Sequence, residues 1–169
     1  MSGPILVGSI VLIWAGIAKV LRPGDTARAL AAAHLPGSSA LVRAMAGVEV
    51  VVGGGAALGG GRPFDGAMAA SYALLAAFVG VAMARGWSLS SCGCFGEADA
   101  RPTVAHVVVN AVLGGAAAVA AVRDVRPLAA LAHHPGQAIA LAVVSAVTAG
   151  LIVLTLTRLP RLQTVVASR

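Results

Sequence analysis

Charge is what this chain lacks most. Of its 169 residues, 11 % are Asp, Glu, Lys or Arg and 59 % are hydrophobic, with a mean hydropathy of +0.92. Soluble domains carry about 25 % charged residues. No soluble domain therefore fits beside the apolar segments, and the class is a multi-pass membrane protein. A basic stripe is missing too. The net charge of +6 comes from residues set singly between apolar runs. That excludes nucleic acid as the expected partner and points to helix-end residues that orient the chain and meet the lipid bilayer. The first apolar segment lacks a basic leader and a small-residue cleavage site, so it is expected to be a retained span and not a cleaved signal. No internal repeat is present, and no nucleotide, flavin or peroxide motif.

What remains divides into five apolar segments of the length a bilayer requires, roughly residues 3–21, 40–61, 67–84, 103–122 and 137–157. Pro4, Pro23, Pro36, Pro63, Pro102, Pro127, Pro135 and Pro160 all fall at or outside their ends, where a fixed φ and a missing N–H do least harm. The glycine run Gly53–Gly61 in the second span would weaken a helix in water, whereas in lipid it lets backbones approach closely. The expectation is an all-α polytopic bundle. Residues 62–66 should form a tight hairpin, and the connection 22–39 has room for a short interfacial helix. Alternation of the spans puts the 22–39 connection, the 85–102 connection and the C-terminal tail on one membrane face, here called face B.

Ionisable residues inside spans are costly and so mark candidate sites. Lys19 lies near the face-B end of the first span, and Glu49 lies about 14 Å into the second at 1.5 Å per residue. Helical side chains lean toward their own N-terminus. The first span runs toward face B and the second away from it, so the two side chains lean toward each other. An ion pair or hydrogen bond is expected, with snorkelling of Lys19 to face B as the simpler alternative. His106 and Asn110 share a face of the fourth span at i, i+4 spacing and lean toward face B; a core histidine is the alternative to a catalytic one. His133 and His134 read as solvated loop residues, Trp87 as an interfacial anchor, and Trp14, Tyr72, Met68 and Met83 as packing residues.

The only cysteines, Cys92 and Cys94, are one glycine apart in the 85–102 connection. Three uses stay open. They are inert thiols, since cysteine packs as a small hydrophobe. They bind a soft metal such as copper, zinc or mercury, although a four-coordinate zinc site needs two more ligands and His106 is the only nearby candidate. Or they exchange disulfides. Gly93 lets a tight ring close, strained exposed disulfides are the labile kind, and Arg85, Arg101 or a protonated His106 would favour the thiolate that Glu97 and Asp99 oppose. That chemistry would make the chain a thiol–disulfide oxidoreductase.

Cys92-Gly93-Cys94-Phe95-Gly96 after a third span, "AKVLRP" at 18–23 closing the first, and "GVEVVVG" at 47–53 in the second resemble the MauE family of methylamine-utilisation membrane proteins, grouped with DoxX-like proteins. The resemblance covers about residues 1–122 and implies a DoxX-like antiparallel four-helix core, with residues 123–169 adding a loop, a fifth transmembrane helix and a short basic tail. It implies disulfide formation or maintenance in methylamine dehydrogenase beside a thioredoxin-like partner, in the cell membrane. By the same implication Cys92 and Cys94 are the redox pair, with Lys19 and Glu49 as the polar support beneath them; the lean of the side chains adds His106 as a candidate catalytic residue and Asn110 as part of the same polar network. An analogy of architecture with vitamin K epoxide reductase-like bundles suggests a quinone as second substrate. The alternative class is a soft-metal binding or transport protein, with no metal assigned to any other residue. Face B holds Arg22, Arg28, Arg43, Arg85, Arg101, Arg158, Arg161 and Arg169, and face A only Arg62, Arg123 and Arg126. Positive-inside counting makes face B cytoplasmic, while the implied role places the thiols outside, where disulfides persist.

Overall fold

The computed structural model describes residues 2–87, 103–127 and 134–167, with side chains as far as residue 158. Cys92, Cys94 and His133 lie outside the described residues. Those residues form six helices and no strand: α1 (Ser2–Leu21), α2 (Pro23–Ala32), α3 (Ser39–Leu58), α4 (Arg62–Ala84), α5 (Val104–Arg123) and α6 (Pro135–Ala167). Five of them, all but α2, are long and apolar enough to cross a membrane. The chain is a multi-pass membrane protein with an all-α fold.

Helix ends follow local chemistry. Pro23 opens α2 at a position whose N–H would be unbonded in any case. Ser38 caps α3, its Oγ accepting from Leu41 N at 3.2 Å. α2 is the interfacial helix for which the 22–39 connection had room. The tight turn differs from expectation. Residues 62–66 are the first turn of α4, and the chain reverses one step earlier, where Gly60 and Gly61 take φ of +60° and +90°. Pro63 belongs in the first turn for the same reason as Pro23. The bend is pinned by Gly61 N donating to Val125 O at 3.1 Å. α6 also runs past its expected end, through Pro160, although its apolar stretch closes at Arg158.

α1 sits at the centre. It packs on α3, while α4 packs on α5 and α6 lies chiefly against α1. Glycine makes the α1–α3 contact close. A methyl group at Gly16 would stand 2.8 Å from Ala46 O, and one at Gly53 would stand 2.9 Å from Ser9 O. Small residues at a crossing are how helices associate in lipid, where apolar burial gives no drive. The core gathers Ile5, Leu12, Val52, Met68, Tyr72 and Leu113 around this crossing. Tyr72 is a packing residue whose hydroxyl donates to Gly8 O at 2.5 Å, and Met68 is wholly buried. Trp14 and Met83 are not packing residues: they point away from the bundle, because the inward phase of their helices is taken by Ala15 and Lys19 and by Val79 and Ala82.

Candidate functional site

The α1–α3 crossing positions the site. The inward residues of α3 recur as Val42, Ala46, Glu49, Gly53 and Ala56, one face of a helix. Gly16 brings that face so near that a methyl on it would lie 3.3 Å from Glu49 Cβ. Three residues on, the Lys19 side chain reaches across. Its ammonium donates to both carboxylate oxygens of Glu49 at 2.6 Å. The residues are 4 % and 8 % exposed. Lys19 therefore does not snorkel, and the lean of the two side chains meets as the sequence predicts. A lone charge at the middle of a bilayer costs about 2.5–3.5 kcal/mol even on a lenient scale. The charge-assisted bonds offset that cost.

The pair forms one wall of a cavity of about 430 Å³ bounded by α1, α2, α3 and α4. Thr26, Ala29 and Leu30 of α2 lie over it, and Leu74, Leu75 and Phe78 of α4 close the far side. Among the described residues, Lys19 and Glu49 are the only charged groups lining it. Phe78 also packs on Trp87, with ring centroids 6.3 Å apart, and Arg85 sits 5.9 Å over the Trp87 ring. The half-buried Trp87 thus ties the end of α4 to the cavity wall and to Ala29 of α2.

His106 and Asn110 stand apart from the ion pair. His106 is fully buried and caps its own helix. Thr103 N–H points at His106 Nδ1 at 3.3 Å, and Thr103 Oγ1 is 2.9 Å from the same nitrogen. A donor aimed at Nδ1 makes that nitrogen the acceptor and leaves the proton on Nε2, which has no partner among the described residues. Asn110 Nδ2 donates to His106 O at 2.8 Å. These bonds close within residues 103–110. Neither side chain lines the cavity, and none of the described hydrogen bonds joins them to Lys19 or Glu49. His134 is exposed. No three His, Cys, Asp or Glu side chains converge among the described residues.

The structure adds one group that sequence reading passed over. Asp65 is 0 % exposed, and neither of its carboxylate oxygens has a partner among the described residues. The signal was present in the spacing Asp65, Met68, Tyr72, Val79, a single buried stripe on α4. It was hidden by assigning residues 62–66 to a hairpin.

A family model described as methylamine utilisation protein MauE matches residues 3–123. The chain belongs to the MauE family. No curated protein and no solved structure matches it. The MauE match runs from the start of α1 to the last residue of α5. It takes in Lys19, Glu49, His106 and Asn110 as well as the Cys92-Gly93-Cys94 sequence, and leaves α6 outside. Membership makes this a membrane protein associated with methylamine utilisation.

Proposed function

We propose that this MauE-family chain is a thiol–disulfide redox protein of the cell membrane. Cys92 and Cys94 exchange disulfides with a thioredoxin-like partner, in the maturation of methylamine dehydrogenase. The supporting observation is that the family match extends through both cysteines, which carry the only thiols of the chain. In the exchange, the thiolate of one cysteine attacks a sulfur of the partner's disulfide and the partner's other sulfur leaves as a thiolate. The second cysteine then attacks the mixed disulfide. A Cys92–Cys94 bond forms, the partner leaves as a dithiol, and two electrons have moved to it. Run in reverse, the same steps oxidise the partner. Lys19 and Glu49 act as buried polar support for this chemistry, and His106 fixes the start of α5, the first described element after the cysteines.

Acid-quenched alkylation of membranes, read as a mobility shift, tests the reading. The wild type should divide between oxidised and reduced forms. One of Cys92→Ser and Cys94→Ser should accumulate a mixed disulfide with a thioredoxin-fold protein. Fully reduced thiols under all conditions, with stoichiometric copper or zinc that is lost in Cys92→Ser, would replace this reading by soft-metal binding.

A further inference from the structure

The cavity beside Lys19 has a chemistry of its own. Its rim residues Met45, Val48 and Leu74 lie on transmembrane helices yet are exposed by 45 %, 59 % and 72 %. The mouth between α3 and α4 therefore opens sideways, at bilayer level, and an occupant arrives dissolved in lipid. A volume of about 430 Å³ lies within the range of small-molecule sites. It holds a substituted ring, and a longer tail can leave through the same mouth.

The polar wall narrows the class further. Lys19 and Glu49 neutralise each other, so neither an anionic headgroup nor a cation finds a net charge to meet. An ammonium has three N–H donors. Glu49 occupies two of them, and among the described residues no further acceptor is bonded to the third. Ser71 on the opposite side donates its hydroxyl hydrogen to Ala67 O at 2.9 Å. Phe78 offers an aromatic face. The matching ligand is neutral, soluble in the bilayer, ring-shaped and equipped with a carbonyl oxygen.

We propose that the cavity between α1, α2, α3 and α4 is a binding site for a membrane quinone, one carbonyl of which accepts a hydrogen bond from the Lys19 ammonium. The binding site stands without the cysteines. Its redox consequence rests on the function proposed above: as Cys92 and Cys94 form an S–S bond they release two electrons and two protons, and a quinone taking up both becomes the quinol.

Trp87 reports on the site, because it packs on Phe78 of the cavity wall. Trp14 is the only other tryptophan and is exposed, so Trp14→Phe leaves a single probe. The purified full chain carrying Trp14→Phe is titrated in detergent with a short-tailed ubiquinone analogue. Saturable quenching of Trp87 emission is expected. Adding Lys19→Met with Glu49→Leu removes the donor while leaving neither an unpaired charge nor a new N–H, and should weaken binding about tenfold or more, as expected for loss of a bond to a charged donor. Ser71→Phe narrows the cavity from the far side and should abolish saturation even if the first variant fails to fold. Replacing both cysteines by serine should leave binding unchanged, which separates this proposal from the thiol reading. Unsaturable quenching, or saturable quenching indifferent to both cavity variants, would overturn the proposal. So would displacement by oleate at concentrations comparable to the quinone, which would make the cavity an acyl-chain site.

Discussion

Removing Lys19 should harm the protein more than removing Lys19 and Glu49 together. In the folded chain the ammonium bonds both oxygens of Glu49 at 2.6 Å, and the two side chains are 5 % and 11 % exposed. Lys19→Met leaves a carboxylate buried against apolar neighbours, about ten residues inside α3. Breaking a buried pair from one side costs about 3–5 kcal/mol. For a chain of this size, 1 kcal/mol moves the melting midpoint by roughly 2–4 °C, so a fall of roughly 6–20 °C is expected. Glu49→Gln should cost less. It leaves a lysine only two residues from the end of α1, where a long side chain can turn outward to the interface. In Lys19→Met with Glu49→Gln no charge is left, and the loss should shrink to roughly 1 kcal/mol or less, since neutral replacements of buried pairs are often tolerated. Melting in detergent, followed by light scattering or cysteine accessibility, gives the four corners of a double-mutant cycle. Strictly additive losses would refute the reasoning, because they would mean that the two groups do not feel each other.

Three further outcomes follow from the geometry. Gly16→Leu places a side chain where even a methyl stands 2.8 Å from Ala46 O. It should destabilise by about 1–3 kcal/mol and, by parting α1 from α3, lower quinone-analogue affinity in parallel; unchanged melting would show that the crossing is looser than described. Thr103→Val removes the hydroxyl beside His106 Nδ1 and should cost about 1 kcal/mol of stability without altering the pH profile of cysteine alkylation, whereas a changed profile would assign the Thr103–His106 unit to the thiols. If the positive-inside rule sets the orientation, face B is cytoplasmic and an impermeant maleimide should label Cys92 and Cys94 only after the membrane is opened; labelling in intact cells would place that face outside, as the proposed redox role expects.

The spans and the ion pair were legible in the sequence because each rests on one strong physical term. Twenty apolar residues bounded by proline or arginine have few states other than a crossing helix, and a lone lysine and a mid-span glutamate on antiparallel helices lean toward each other by Cβ geometry alone. The start of α4 was less legible. Gly59 to Gly66 holds four glycines and a proline, and turn chemistry and first-turn helix chemistry both accept proline. Burial of Asp65 was lost with that boundary. The cap at Thr103 was also missed, since the familiar pattern ends in Glu or Gln and here the third position is His106. The cavity had no signature in the sequence at all. It exists because α2 folds back over the gap between α3 and α4, a tertiary relation that no local pattern encodes.

The order of the two charged residues along the chain bears on how the protein is built. Lys19 and Glu49 are thirty positions apart, and synthesis at 5–20 residues per second separates them by roughly 1.5–6 s. The lysine is made first and sits within one turn of its helix end, so it can wait at the headgroups. The glutamate, placed mid-helix with no such refuge, enters the membrane when its partner is already there. The reverse arrangement, with the deep carboxylate first, would leave a charge stranded in hydrocarbon until the next helix arrived. The chain thus carries in its sequence an assembly schedule, in which the residue that can be parked precedes the one that cannot.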